Sequence, residues 1–344
     1  MASFGLDISD SVLRLAVVEK TRHGWRLPVR AEVELPAGAI TDGDIIQPDV
    51  VVEATQNLYR AAGVKHFRVA ISIPERHTFV KLIAPTNDSG GTTDERIAAA
   101  IVQDLPYSIE EVYWDWHDLQ KKNSLNQDLY LVGAAPKSTV DSYLKVMKLA
   151  GLEVERLEIE SLAIARALFG LASPADTRII LDLGRTRSTL ILVEHGVVQF
   201  TSTVRYAGRE LNRFIADELH ISEAQAEKAK ALFGLDPRKG KGLLRRVLAP
   251  HLDVIAETVK KFEQYYTEHF VDHSPVTAVH VTGSGALLLG IREELQRALN
   301  HEVVVEPAWV YQQFHQLDDT LPADIGYTFT TAFGLALDPE VLRP

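Results

Sequence analysis

The sequence contains no cysteine, which excludes disulfide bonds and thiol chemistry and permits a reducing compartment. It also lacks any apolar stretch of about 18 residues, the length that predicts a membrane-spanning helix. The N-terminus has no basic segment followed by an apolar one and leads directly into a strand pattern. We therefore expect a cytoplasmic protein.

An excess of basic charge is absent as well. The 36 Lys and Arg residues face 47 Asp and Glu residues, and the net charge of −11 argues against general nucleic-acid binding. The densest basic run, 238–246, is either a solvated loop and helix start or a contact for phosphate or protein. The 344 residues are enough for about two domains, and 46% hydrophobic content can supply each with a core.

Two segments that lie about half the chain apart share one pattern. Residues 4–15 and 179–190 each begin with an apolar run that ends in an aspartate, Asp7 or Asp182, and continue through a short polar turn into a second apolar strand. Such turns offer backbone N–H groups and hydroxyls to phosphate, and the aspartates can hold a metal-bound water. The pattern predicts a duplicated α/β fold that closes on a nucleotide.

Periodicity predicts the same plan, three strands, helix, strand, in both halves. We expect three strands within 3–35 and further strands at 69–73, 78–83, 112–117, 129–133, 153–158, 178–183, 188–194, 197–204, 277–282 and 302–306. Residues 207–272 are predicted to be entirely helical, as an insertion. The individual helices are expected at 48–62, 93–105, 136–150, 161–170, 250–271, 287–299 and 322–338. Thr92 and Glu95 fit a capping box at the start of the second of these, and Gly151 suits the position just after the third.

A third candidate ligand contact is the Gly-Ser-Gly turn at 283–285, which lies between a strand and a helix pattern. Glycines allow a backbone to approach a ligand closely, and a helix start favours an anion. A fourth element, 205–212, begins the helical insertion. On the next helix Glu227 and Lys230 share one face. They either line a nucleotide site or form a solvent-facing ion pair, and spacing alone favours the ion pair.

Together these segments resemble the actin-like ATPases, the superfamily of actin, sugar kinases, MreB and FtsA, and more narrowly the PilM family of type IV pilus proteins. The resemblance covers nearly the whole chain. It also includes the blocks 101–119, 135–152, 157–163, 208–211, 226–230 and 330–337. It implies the actin-like ATPase fold, a duplicated ribonuclease H-like fold whose two lobes carry a small α/β insert and a helical insert.

The resemblance implies a division of the chain into four parts. They are 1–75 with 157–178 as the lobe 1 core (1A), 76–156 as the inserted partner-binding subdomain (1C), 179–205 with 273–344 as the lobe 2 core (2A), and 206–272 as the helical subdomain (2B).

It also implies that ATP binds in the cleft between the lobes. The candidate contacts are Asp7, Ser9, Asp10, Ser11, Arg14, Asp182, Gly184, Arg185, Thr186, Arg187, Gly208, Arg209, Asn212, Glu227, Lys230, Gly283, Ser284, Gly285 and Leu288. Asp7 and Asp182 would hold Mg²⁺ mainly through waters. Glu160 stands where relatives place a residue that orients the attacking water, so it is the candidate catalytic residue.

Several residues depart from the family pattern. Relatives usually have glycine at the position of Ser9, and often at Ala207 and Ser284, so this chain adds a Cβ beside the ligand. Arg185 and Arg187 are bulky for a phosphate turn, although arginine can bind phosphate directly. These departures predict ATP binding with slow or absent hydrolysis.

PilM proteins bind a short N-terminal cytoplasmic peptide of the membrane protein PilN, and the resemblance implies this role for 76–156. The helix at 93–105 and the strand with Tyr113, Trp114 and Trp116 would line the groove, unless these aromatic residues form the core of a small subdomain. We expect either that one tryptophan is exposed or that the strand turns Tyr113 and Asp115 outward.

The C-terminal residues 337–344 lack an amphipathic helix of the kind that anchors FtsA, so we expect attachment to the inner face of the cytoplasmic membrane through the partner. Pilus motor ATPases and weak self-association are further contacts that the resemblance implies. Two alternatives stay open: a filament-forming homologue like FtsA or MreB, and a small-molecule kinase with Asp182 as its base.

Overall fold

The structure is a computed structural model that describes residues 2–21, 24–86, 91–170, 176–204, 206–308, 322 and 324–337. Its strands are β1 (Ala2–Ile8), β2 (Val12–Thr21), β3 (Gly24–Glu34), β4 (Ile40–Thr41), β5 (Asp44–Ile45), β6 (Arg68–Ile73), β7 (Phe79–Ile83), β8 (Val112–Lys122), β9 (Asp128–Pro136), β10 (Glu153–Ile159), β11 (Thr177–Leu183), β12 (Ser188–Glu194), β13 (Val197–Val204), β14 (Val276–Thr282) and β15 (Glu302–Val304). Its α-helices are α1 (Pro48–Ala61), α2 (Thr93–Ile101), α3 (Lys137–Ala150), α4 (Glu160–Phe169), α5 (Gly208–Leu219), α6 (Glu223–Phe233), α7 (Leu243–His269), α8 (Ile291–Leu299), α9 (Ile325–Thr328) and α10 (Thr330–Ala336).

The two large sheets repeat one strand order. The first sheet runs β10-β6-β1-β2-β3, and the second contains β15-β14-β11-β12-β13. In each, the strand that ends in the aspartate turn pairs antiparallel with the next strand and parallel with the strand on its other side. The shared order confirms the duplicated fold that the sequence predicts.

The two aspartate hairpins close in the same register. Asp7 pairs with Arg14 in the first hairpin, and Asp182 pairs with Thr189 in the second. Each aspartate is the last but one residue of its strand, so the side chains that precede the two turns occupy equivalent positions. The turns themselves are 9–12 and 184–187.

Helices α4 and α10 lie in a buried apolar layer that contains residues from both sheets. The backbone of α10 packs directly on β1 and on α4. A Cβ on Gly5 of β1 would overlap the carbonyl oxygen of Ala332, and a Cβ on Gly334 would overlap the carbonyl oxygen of Ala163. Any side chain at these two glycines would therefore separate the elements that join the halves.

Strands β7, β9 and β8 extend the second sheet beyond β13 through a single residue pair, Lys81 with Phe200. Helix α2 covers these strands with Ile97 and Ile101. Its N-terminus has the capping box that the sequence predicts at 92–95. By contrast, the buried residues of α3 belong to the core of the first sheet.

Three predicted helices have different bounds. Helix α2 ends at Ile101 rather than at 105, although Leu105 still packs against the same cluster. Helix α7 begins at Leu243 instead of 250 and contains Pro250. Proline lacks an N–H, so the helix has one backbone hydrogen bond fewer at this position. Pro250 lies on the exposed side of the helix, where water can supply the missing hydrogen bond.

Helix α8 begins at Ile291 instead of 287. Gly290 precedes it in the left-handed region, with φ of 83°, and a short 3₁₀ turn occupies Ser284–Leu287. Glycine adopts this conformation without strain, so the chain can change direction at Gly290, between the 3₁₀ turn and α8. Of the last predicted helix, 322–338, the structure describes α9 and α10. Among the described residues, no helix is long and apolar enough to cross a membrane.

Candidate functional site

A cavity of about 520 Å³ lies between the two halves, where β1 and β11 end. It is lined by both hairpin turns, the first residue of α4, helices α5 to α8 and the Gly-Ser-Gly turn. All of the sequence-predicted site residues line it except Asp10, Ser11 and Arg209. The hydroxyl of Ser9 donates to the carbonyl of Val12, 2.9 Å away within its own turn, and does not fill the cavity.

Three carboxylates, Asp7, Glu160 and Asp182, line the cavity near one another, close enough for their charges to interact. Burial and the charge of Glu160 raise the pKa of Asp7 to about 7. Burial, Glu160 and Asp7 together raise the pKa of Asp182 to about 8. The guanidinium groups of Arg14 and Arg187 oppose both shifts but do not cancel them. The cluster therefore favours an added positive charge.

Within the described residues, no three His, Asp or Glu side chains are grouped closely enough to hold a metal ion. Asp7 and Asp182 are the carboxylates that could hold Mg²⁺ through waters. This donor set fits Mg²⁺, which retains several waters and commonly uses one or two carboxylates together with phosphate oxygens.

Asp10 is directed into the first half instead of the cavity. Its carboxylate accepts hydrogen bonds from the backbone N–H groups of Asp42, at 3.1 Å, and Gly43, at 3.0 Å. It thereby holds the turn of the β4–β5 hairpin. The carbonyl of Gly43 also accepts a bond of 2.9 Å from the hydroxyl of Tyr143 in α3.

Both arginines of the second turn reach the first half. The side chain of Arg187 is 13% exposed, and its Nη1 lies 3.3 Å from Oδ1 of Asp10. Arg185 lies at the mouth of the cavity, where Nη1 is 3.4 Å from Oε1 of Glu34 and Nη2 is 3.7 Å from Oε1 of Glu227. The second turn thus contributes positive charge to both ends of the cleft.

Lys230 donates a hydrogen bond of 2.8 Å to the carbonyl of Gly208, at the start of α5. Burial lowers the pKa of this lysine to about 8. Both Lys230 and Glu227 line the cavity. The interpretation that spacing favours, a solvent-facing ion pair, is therefore wrong. Residue 205, where the fourth predicted element begins, lies outside the described residues.

The Gly-Ser-Gly turn packs tightly against the end of β11. Gly283 has φ of 77°, and a Cβ there would collide with Oδ1 of Asp182 and the carbonyl of Leu183. A Cβ on Gly285 would collide with the side chain of Leu183. These glycines bring the third turn against the second, which places Ser284 on the cavity.

Helices α5, α7 and α8 add apolar residues to the cavity lining, and sequence reasoning missed most of them. Its additional lining residues include Tyr206, Leu211, Leu252, Ile255 and Ile291. Leu252 and Ile255 belong to the apolar stripe of α7, and periodicity does not distinguish a stripe that faces a core from one that also borders a cavity.

Asn212 adds one polar atom to this lining. The residue is only 7% exposed, and its Oδ1 has no hydrogen-bond partner among the described residues. A buried carbonyl oxygen without a donor is unfavourable by about 1–3 kcal/mol, so this oxygen suits a ligand that donates a hydrogen bond.

The repeated strand order, the paired aspartate turns and the cleft between them define the fold of the actin-like ATPases. Solved structures with this fold include the "PilM-PilN type IV pilus biogenesis complex", with a TM-score of 0.81, 20% identity and 99% coverage of both chains. MreB 5 of Spiroplasma citri bound to AMPPNP has a TM-score of 0.52 and 13% identity, over 88% of this chain and 90% of that one.

The chain belongs to the PilM family: the model described as "Type IV pilus assembly protein PilM" matches residues 5–339. A curated relative, the cell division protein FtsA of Enterococcus hirae, is 24% identical over 254 residues, which are 67% of this chain and 57% of that protein. The match thus spans little more than half the length of that relative.

Proposed function

We propose that this chain is an ATP-binding scaffold of a type IV pilus-type machine. The observation that carries the proposal is the cavity of about 520 Å³ between the paired aspartate turns, which is lined by charged residues of the turns and by apolar residues of the helical segments. This division of chemistry suits a nucleotide, whose phosphates need N–H groups and cations and whose base needs apolar contacts.

In this proposal the triphosphate lies beside the turns 9–12 and 184–187. The base extends between the Gly-Ser-Gly turn and the apolar residues of α5 and α7. The unpartnered Oδ1 of Asn212 would accept a hydrogen bond from the base or ribose, and Lys230 would lie beside the ribose. Membership of the actin-like fold supports this orientation.

Asp7 and Asp182 are the residues that would hold Mg²⁺ through waters, and the ion would neutralise phosphate charge. Glu160 would orient a water near the terminal phosphate, since it lines the cavity and its charge acts on both Asp7 and Asp182. Ser9 uses its hydroxyl within its own turn, so it does not donate to a phosphate there. This supports the expectation of slow or absent hydrolysis.

The test of the nucleotide site is a charge placed in the second turn. Thr186 is partly exposed and lines the cavity. Thr186→Glu should weaken ATP binding at least about hundredfold in calorimetry, because a carboxylate beside phosphate is strongly repulsive at low dielectric. Thr186→Gln has the same bulk without the charge and should bind within about threefold of wild type. Equal affinity of the Glu and Gln variants would place the nucleotide elsewhere.

We also propose that the insert, 76–156, binds the N-terminal cytoplasmic peptide of a PilN-like membrane protein, which would hold the chain at the inner face of the cytoplasmic membrane. Membership of the PilM family and the likeness to the chain in the PilM-PilN complex support this partner.

Contacts with pilus motor ATPases and weak self-association stay predictions. Residues 338–344, on which the expectation about a membrane-anchoring helix depends, lie outside the described residues.

The strand β8 favours one face of the insert for this peptide. Trp114 and Trp116 pack against the insert core, whereas Tyr113 is 48% exposed and Asp115 is also exposed. The strand therefore has the second of the two expected arrangements. Tyr113 meets α3 through its hydroxyl, 3.3 Å from Oδ1 of Asp141. The outward face of β8, beside α3, is the surface that we propose.

Fluorescence anisotropy with a labelled synthetic peptide of the partner tests this surface. Tyr113→Ala should weaken the peptide at least about tenfold, since exposed aromatic anchors carry much of the energy of such interfaces. Phe67→Ala, which removes an exposed aromatic residue from the loop before β6, is the matched control and should have no effect. If both variants bind equally well, the peptide lies elsewhere.

A further inference from the structure

The insert straddles the two halves of the molecule. In the sequence, β7 follows β6 of the first sheet, but in space it pairs with β13 and, together with β9 and β8, extends the second sheet. The last helix of the insert, α3, instead buries its side chains in the core of the first sheet. The strands of the insert are therefore fixed to one half, and its last helix is fixed to the other.

The proposed peptide surface lies where these two parts of the insert meet. The hydroxyl of Tyr113 on β8 lies 3.3 Å from Oδ1 of Asp141 on α3. Nζ of Lys137, at the start of α3, lies 5.5 Å from the centre of the Tyr113 ring. One side of the surface thus belongs to the second half and the other side to the first. We therefore expect a movement of one half against the other to shift β8 against α3.

Glu75 joins the root of the insert to the second half. The residue is 5% exposed and lies in the short turn between β6 and β7. Its carboxylate accepts hydrogen bonds from the hydroxyl of Thr201 on β13 and from the N–H of Ser161, 3.4 Å away at the start of α4. Strands β7 and β13 are joined by a single residue pair, Lys81 with Phe200, so the bond to Thr201 adds materially to this attachment.

The same carboxylate also lies close to the cavity. Ser161 directly follows Glu160, which lines the cavity. Burial, together with the charge of Glu160, raises the pKa of Glu75 to about 7, so the two carboxyl groups are near enough to interact. Glu75 thus connects three parts of the molecule: the root of the insert, the second sheet, and the helix that brings Glu160 to the cavity.

We propose that a nucleotide in the cleft strengthens the binding of the partner peptide to the insert, and that the bond between Glu75 and Thr201 transmits this coupling. The inference rests on the proposed function. A nucleotide that contacts both aspartate turns favours the arrangement in which the halves lie together, and in this arrangement Tyr113 of β8 meets Asp141 of α3. Two ligands that favour the same arrangement strengthen each other's binding by the same factor.

The experiment measures the affinity of the full chain for the labelled synthetic peptide of the partner by fluorescence anisotropy, with and without a saturating non-hydrolysable ATP analogue and Mg²⁺. Wild type should bind the peptide at least about fivefold more tightly with the nucleotide. In Thr201→Val, which has a similar shape but cannot donate to Glu75, the two affinities should agree within about twofold. Thr201→Ser keeps the hydroxyl, and Thr203→Val alters an exposed residue of the same strand, so both controls should retain the coupling.

The outcomes separate this inference from the proposed function. If calorimetry shows that wild type binds the nucleotide, but the peptide affinity falls or changes by less than about twofold, the coupling is refuted and both proposed sites stand. Equal coupling in Thr201→Val and wild type would refute the role of the bond to Glu75. If wild type fails to bind either ligand, the proposed function fails and this inference with it. Should Thr201→Val not fold, the wild-type comparison decides the coupling, and Thr201→Ala, which also lacks the hydroxyl, tests the bond.

Discussion

The two aspartate turns have the same strand register, but their polar side chains have different partners. The first turn is satisfied within its own half: Ser9 bonds to Val12, and Asp10 bonds to the β4–β5 hairpin. The second turn begins with Gly184 and sends Arg185 and Arg187 across the cleft. The two turns therefore share a backbone arrangement but differ in role. The first turn stabilises its own half, whereas the second turn contacts the other half and carries the positive charge.

The largest expected effect on stability comes from replacing the first residue of each turn by alanine. A Cβ on Gly184 would overlap the carbonyl oxygen of Arg187, so Gly184→Ala should destabilise the protein by about 2–3 kcal/mol. Ser9 occupies the equivalent position and already has a Cβ. Ser9→Ala loses one hydrogen bond and should cost at most about 1 kcal/mol. Urea denaturation measures both, and equal costs would contradict the comparison.

The second prediction concerns the aspartates that precede the turns. In the folded state the pKa of Asp182 is raised to about 8, whereas in the unfolded state it is about 4. Between these two pH values the carboxyl is therefore protonated in the folded protein and ionised in the unfolded one. Its contribution to stability is therefore lost as pH rises through that range. Asp182→Asn should be more stable than wild type by about 1–2 kcal/mol at pH 9 and similar to it at pH 5.

Asp7→Asn should behave in the same way with a smaller gain, since the pKa of Asp7 is raised only to about 7. The two gains should not add, because the charge of Asp7 contributes to the raised pKa of Asp182. A remaining fall in stability is expected from Glu75, whose pKa burial raises to about 7 outside the cavity. A difference between Asp182→Asn and wild type that does not change with pH would refute this account.

The smallest effect is expected at the mouth of the cleft. The pair between Arg185 and Glu34 joins the halves but is exposed to solvent. A double-mutant cycle with Arg185→Gln and Glu34→Gln should give a coupling energy of about 0.5 kcal/mol that declines with salt. A coupling of several kcal/mol would mean that the mouth, and not the buried end at Arg187, fastens the two halves.

The sequence predicts what is local. The paired hairpins, the capping box at 92–95 and the left-handed Gly151 after α3 follow from short patterns, and the structure confirms them. The fold also follows, because the same pattern occurs twice in the correct order. Most of the candidate site residues line the cavity for the same reason: each lies at the end of a predictable strand or at the start of a predictable helix.

What the sequence does not predict depends on contacts between distant segments. Nothing near Asp10 indicates that its partners are the N–H groups of Asp42 and Gly43. Likewise, the pairing of Lys81 with Phe200 attaches the insert strands to the second sheet. In the sequence, however, β7 directly follows β6, which is a strand of the first sheet. Burial of Lys230 against Gly208 overrides the i, i+3 pair that its spacing favours.

Helix α10 meets β1 at Gly5 and meets α4 at its own Gly334 without intervening side chains, and these two contacts limit how the halves can move. Side chains normally separate packed elements and let them shift past one another, but here backbone meets backbone on both faces of one short helix. Translation would drive the methyl groups of neighbouring residues into carbonyl oxygens. Rotation about a line through the two glycines displaces these contacts least, so we expect any opening of the cleft to turn about that line.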